Sequence, residues 1–238
     1  MRNVMLIAVS FVREQRWPIF VLLMWVVLLA AVGLAVDLRR PSDREDVLMI
    51  FKQLSIYGVA FAIFFGGSAI HNDRRSRRIL AVLSKAVGRR QYLLGLLTGI
   101  AMAVGLFGFS MGFTGSWVLG QAGFRVAWLW YLILCCMAAC LLSACLAVMF
   151  STFMPPLFAT LATGLLIGVP ALLTIQTGGK WAYGIPVYPL LERMLNAGFH
   201  DRVQPNWPVL TIAFGDMLAL WLIASWIFRE RDIAVSVD

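Results

Sequence analysis

Residues 127–150 read AWLWYLILCCMAACLLSACLAVMF, without one charged side chain or proline. A helix needs roughly 20 apolar residues to cross the ~30 Å hydrocarbon core of a bilayer, and this stretch supplies them. Working outward, five more stretches qualify: 17–36, 47–70, 92–119, 157–175 and 208–228. The second is interrupted by Lys52 and the sixth by Asp216. The third is long enough to tilt or to begin in the headgroup region. None alternates with the period of a strand, so a β-barrel is not expected. Of the 238 residues, 61% are hydrophobic and 13% charged, with a mean hydropathy of +0.84. Soluble domains carry about 25% charged residues. A soluble enzyme, a secreted disulfide scaffold and a disordered chain are therefore excluded. The expected fold is an all-α integral membrane protein, a single transmembrane domain over residues 1–238.

Loop charges orient the six spans. With the N-terminus in the cytoplasm, twelve basic residues fall on inner segments: Arg2, Arg13, Arg16, seven between Arg74 and Arg90, Arg229 and Arg231. Seven fall outside, namely Arg39, Arg40, Arg44, Arg125, Lys180, Arg193 and Arg202. Lysine and arginine concentrate on cytoplasmic loops. The expectation is a multi-pass protein of the plasma (inner) membrane with both termini cytoplasmic. The net charge of +8 then reflects topology and the lipid bilayer as partner, and no nucleic acid is expected.

Residues 1–16 precede the first span. The apolar run that follows them, 17–36, starts too late and is too long for a cleaved signal peptide. They read as an amphipathic interfacial helix, with Val4, Met5, Ala8, Phe11 and Val12 facing lipid. Cys135, Cys136, Cys140 and Cys145 form no CxxC pair and have no nearby histidine, so packed or lipid-facing thiols are expected, with no metal. His71 and His200 fall on opposite sides of the membrane in this topology, which forbids a shared catalytic triad or metal cluster. No HExxH and no GxxxxGK[ST] occurs; the only Gly-Lys, Gly179-Lys180, is followed by Trp181. No catalytic residue or cofactor is expected in this chain, and any ATP hydrolysis belongs to another polypeptide.

The segment 71–91, HNDRRSRRILAVLSKAVGRRQ, sets seven basic residues against one acid, Asp73. Ile79, Leu80, Leu83, Ala86 and Val87 recur at helical spacing. It reads either as a positive-inside loop held on anionic headgroups or as a docking helix for a cytoplasmic motor.

The order of parts is similar to the permease subunits of the ABC-2 class of ATP-binding-cassette transporters. These have six spans, an N-terminal interfacial helix, a basic amphipathic segment after the second span and a long external loop before the sixth. Leu80, Val82-Leu83-Ser84, Arg89 and Gly95 fall at the spacing of the family's loop. Arg78-Ile79 stands where Gly-Thr is common, Ala86 where proline is common, and Leu96 where lysine is common. The ending Phe228-Arg229-Glu230-Arg231-Asp232-Ile233 also resembles the family's exit from its last helix. The resemblance implies a nucleotide-binding ATPase subunit, holding ATP and Mg, that docks on 71–91. Arg74, Arg75, Leu80, Leu83, Ser84, Val87, Gly88, Arg89 and Arg90 would form the coupling surface, with Gly88 as its turn. It also implies a second permease copy or paralogue, and a path lined by the second and fifth spans.

Within the fifth span Thr160, Gly164 and Gly168 form a small-xxx-small stripe suited to close helix approach. Pro170 removes a backbone hydrogen bond and should kink the outer half. Plain packing explains the stripe equally well, because Gly95/Gly99 and Gly108/Gly112 repeat it in the third span. The external loop 176–207 contains a short amphipathic helix at 187–199, with Tyr188, Leu191 and Leu195 on one face. In the family, re-entrant helices here cap the exit; the alternative is a helix resting on the outer leaflet. Trp181, Tyr183 and Trp207 suit the headgroup region.

Lys52 and Asp216 sit at comparable depths in the second and sixth spans. Two arrangements serve such costly groups: a Lys52–Asp216 ion pair, or a snorkelling lysine with the aspartate bonded to a neighbouring helix. The functional expectation is the permease subunit of an exporter of a lipid, amphiphilic drug or peptide. The alternatives are a non-transporting scaffold or regulatory subunit, and a haem-export-type permease of cytochrome assembly, which shares the layout. An ion-coupled carrier is disfavoured by the lack of a visible inverted repeat.

Overall fold

A computed structural model describes residues 2–35, 41–75, 88–178, 181–199 and 205–230. Among them there is no strand. The helices are α1 (Arg2–Glu14), α2 (Arg16–Ala35), α3 (Pro41–Arg75), α4 (Arg89–Gln121), α5 (Val126–Ser151), α6 (Pro156–Thr177), α7 (Val187–Leu195) and α8 (Trp207–Glu230), with a 3-10 turn at Trp181–Gly184. Six of them, α2 to α6 and α8, are long and apolar enough to cross a membrane. Each matches one expected span.

Helix α5 is the hub: 72% of it is buried, against 11% of α6 and 22% of the α8 span. Helices α3, α4, α6, α7 and α8 all pack on it. Its composition explains why. Alanine, serine and cysteine at 138–140 and 143–145 keep its surface narrow, so neighbours approach closely. The four cysteines are free and buried in this packing, so the lipid-facing alternative falls away. The Ser143 hydroxyl donates to the Ala139 carbonyl at 2.7 Å, as Ser55 does to Phe51 at 3.0 Å. Buried hydroxyls are thus satisfied within their own helices.

Glycine sets the closest crossings. A Cβ on Gly66 of α3 would lie 2.6 Å from the Ala144 carbonyl oxygen, and one on Gly67 would lie 2.5 Å from Thr160 Cγ2 on α6. The turn between α4 and α5 needs glycine for another reason, since Gly123 has φ +90°. There the Gly123 and Phe124 amides donate to the Gly120 and Leu119 carbonyls. Gly178 ends α6 in the left-handed region.

Helix α1 exposes only part of the face expected to meet lipid: Met5 is exposed, and Val4 and Val12 are half-buried. Ala8 and Phe11 are buried against α4, where Cβ atoms on Gly95 and Gly99 would meet Ile7 Cβ at 2.8 Å and Phe11 Cδ1 at 2.9 Å. Met5, Leu6 and Val9 are the exposed apolar residues. The third span's two stripes are therefore packing surfaces, Gly95/Gly99 for α1 and Gly108/Gly112 for Met137 and Trp130 of α5.

Candidate functional site

At the end of the bundle where the basic segment leaves α3 and rejoins α4, three elements are tied together. Tyr92, in the first turn of α4, stacks on Phe228 in the last turn of α8, with ring centroids 5.9 Å apart and planes 18° apart. Both are fully buried. One turn further along α4, Gly95 receives α1. The start of α4 is thus clamped between α1 and α8. Aromatic stacking adds about 0.5–1.5 kcal/mol to the burial of such rings.

Arg74 and Arg75 form the last turn of α3, and Arg89 and Arg90 the first turn of α4. Arg90 is exposed. Leu80, Leu83, Ser84 and Val87 lie outside the described residues. Gly88 precedes α4 at φ −64°, ψ 144°, and the Tyr92 amide donates to its carbonyl at 3.0 Å. That conformation is open to every L-residue, and nothing stands within 4 Å of a Cβ added there. Gly88 is therefore a plain entry to the helix, and no glycine-specific turn exists at that position.

The fifth-span stripe divides. Thr160 packs on Gly67, whereas Gly164 and Gly168 have nothing within 4 Å of an added Cβ. Only Ala159 and Thr163 of α6 are buried, and Leu161, Leu165, Val169 and Leu172 are exposed along its length. The helix runs through Pro170 without ending. At its C-terminal end the Thr174 hydroxyl donates to the Pro170 carbonyl at 2.8 Å and accepts from the Ala182 amide at 3.1 Å. One threonine thereby ties the 3-10 turn to α6.

Helix α7 buries Val187, Leu190, Leu191 and Met194 and packs chiefly on α5. Its inward face is centred on Leu190 and Leu191, while Tyr188 and Leu195 flank it half-buried. A helix resting on the leaflet surface is therefore replaced by one seated on protein. The Tyr188 phenol is held above its ordinary range by burial and then by the Glu192 carboxylate. Where the chain enters α8, the Asn206 amide donates to the Tyr131 hydroxyl at 2.7 Å.

Lys52 and Asp216 are not brought together. Their helices both pack on α5 and share no substantial contact with each other. Asp216 Oδ2 is buried without a hydrogen-bond partner, so the alternative bond to a neighbouring helix is not made either. Lys52 lines a cavity with Glu45, Asp46 and Asn196. Depth within a span was readable from residue number; the intervening helix was not. An unsatisfied buried carboxylate oxygen costs about 1–3 kcal/mol. Asp216→Leu, which removes the unpaired polar atoms with a side chain of similar shape, is therefore expected to raise the melting temperature in detergent, by about 2–4 °C per kcal/mol recovered in a chain of this size. A fall in Tm on thermal unfolding would show that the carboxylate has a partner in the assembled protein.

Glu45, Asp46 and Asn196 were not singled out by the sequence as site residues. Glu45, Met49 and Lys52 share a helical face by their spacing, a signal that could have grouped them; Asn196 carried none. Among the described residues no group of three or more His, Cys, Asp or Glu side chains could hold a metal. No protein-family model matches the chain, and comparison with curated proteins finds no match.

Proposed function

We propose that this chain is the membrane-spanning permease subunit of an ATP-driven exporter of a lipid, amphiphilic drug or peptide. The motor is a separate nucleotide-binding ATPase, which supplies ATP and Mg chemistry and docks on the cytoplasmic segment 71–91. The observation that supports this reading is the clamp at the start of α4. A push on the basic segment reaches Tyr92 within a few residues and from there loads Phe228 of α8 and, through Gly95, α1. A loop that served only to hold anionic lipid would need no such rigid base. In this reading α1 is the interfacial helix and α7 the external cap. The open face of α6 around Gly164 and Gly168 receives a second permease copy or paralogue, and Pro170 softens that helix.

The test is co-expression with a P-loop ATPase encoded beside this chain, followed by affinity purification. Stable co-purification and ATP hydrolysis stimulated by the chain in vesicles are expected. A chain that purifies alone and leaves the ATPase rate unchanged overturns the reading in favour of a scaffold. Topology has its own measurement. A reporter active only in the cytoplasm should work fused after Asp238 or inserted near Ser76, and should fail near Ser42 or Asn196. Activity at Asn196 would remove the proposed arrangement.

A further inference from the structure

The cavity beside Lys52 has a charge order that selects a ligand. It measures about 470 Å³ and lies between the first turns of α3 and the residues that follow α7. That is within the range of small-molecule sites. Glu45 and Asp46 stand at its outer end, exposed, and Lys52 lies half-buried further into the span. At 1.5 Å per residue, the seven positions from Glu45 to Lys52 separate their Cα atoms by about 10 Å along the helix. Lys52 makes no ion pair among the described residues, although two carboxylates share its cavity. Lys52 lines the cavity, and because a helical Cα–Cβ bond tilts toward the helix N-terminus, its long side chain can extend toward the carboxylates and the headgroup region. Phe199 forms part of the wall and is braced edge-to-face by Phe124, with centroids 5.6 Å apart.

We propose that this cavity binds the phosphoethanolamine headgroup of a membrane phospholipid. From the bilayer interior outward, the protein presents a cation and then two carboxylates. An ethanolamine phospholipid presents, in the same direction, an anionic phosphate and then a primary ammonium. The phosphate meets Lys52, with the Asn196 amide as a second donor, and the ammonium meets Glu45 and Asp46. Phosphatidylglycerol has no cation for the carboxylates. Phosphatidylcholine has one, but its quaternary nitrogen has no N–H to donate, and charge-assisted hydrogen bonds are the strong ones. The match depends on direction relative to the bilayer centre, so it holds in either leaflet. It is also independent of any ATPase partner.

The experiment uses the full chain, purified in detergent and incubated with equal amounts of phosphatidylethanolamine, phosphatidylcholine and phosphatidylglycerol. Retained lipid is counted by native mass spectrometry. Ethanolamine lipid is expected to exceed choline lipid by about tenfold, the value of one charge-assisted hydrogen bond or more. The double variant Glu45→Gln/Asp46→Asn should lose that preference, and Lys52→Gln should retain neither lipid. Lys52→Arg keeps the charge and should keep the lipid, which separates loss of binding from loss of folding. Equal retention of the two zwitterionic lipids by the unaltered chain would overturn the proposal. So would a preference that survives Glu45→Gln/Asp46→Asn, or displacement of the lipid by soluble phosphoethanolamine at equal concentration.

Discussion

Gly66→Leu is expected to leave no monodisperse protein after extraction in detergent. Gly66 stands where α3 crosses the hub helix. An added Cβ there would lie 2.6 Å from the Ala144 carbonyl oxygen and 2.8 Å from the Ala147 Cβ. Neither atom is the end of a flexible side chain, so the helices themselves must separate. Gly67 next to it is held by Thr160 of α6, and the displacement therefore reaches two interfaces together. Inserting methylenes into a packed core typically costs about 1–3 kcal/mol, occasionally more, and a domain has only about 5–15 kcal/mol to lose. Gly66→Ala should show the lower figure as a reduced Tm, and Gly66→Leu, which adds three further carbons at a crossing that cannot yield, should cost several times as much and reach what the fold has to lose. Gly105→Ala is the control. Nothing lies within 4 Å of a Cβ there, and alanine is favoured over glycine inside a helix by roughly 0.5–1 kcal/mol. Size-exclusion profiles and thermal unfolding of the three variants check this. A well-folded Gly66→Leu protein would mean that the α3–α5 crossing is looser than the structure has it.

The spans were legible because length and apolarity together determine them. The stretch 127–150 became Val126–Ser151, and 157–175 became Pro156–Thr177. Expected span boundaries failed where polar residues continue a helix beyond the apolar stretch. Helix α3 runs from Pro41 to Arg75 because Arg44, Glu45 and His71 are tolerated once the helix leaves the hydrocarbon. The short helix expected over 187–199, by contrast, stops at Leu195, where Asn196, Ala197 and Gly198 end it. What a helix face touches was not legible. The apolar face of α1 has the same periodicity whether lipid or protein covers it, and Ala8 and Phe11 found protein. Gly95 and Gly99 carried the signal for that docking, but the pattern was shared with Gly164 and Gly168, which meet no neighbour. The pairing of Lys52 with Asp216 failed for a related reason: depth is one coordinate, and neighbourhood around the bundle axis is two more. The carboxylates facing Lys52 came from its own helix, seven and six residues away.

Replacing both Leu83 and Val87 with glutamate is expected to abolish stimulated ATP hydrolysis by the partner while leaving the chain inserted and folded. Both positions lie outside the described residues, so the expectation rests on sequence pattern and on what the segment adjoins. Ile79, Leu83 and Val87 recur at four-residue spacing, and seven basic residues surround them. If a motor seats on this segment, its contact is the apolar stripe, and two carboxylates would replace a desolvated contact with groups that must stay hydrated. Burying an unpaired charge costs more than losing the apolar contact alone, and about 2 kcal/mol for each glutamate is a low figure. Two together would weaken docking by about a thousandfold. Insertion should survive, because the packing that fixes α4 starts at Tyr92 and lies wholly downstream. Gly88→Ala should leave coupling unchanged, since its backbone conformation and surroundings accept a side chain. The measurement is ATPase activity of the reconstituted pair in vesicles of neutral lipid, where anionic headgroups cannot hold the segment. Full stimulation in the double glutamate variant would return 71–91 to the role of a lipid-bound basic loop.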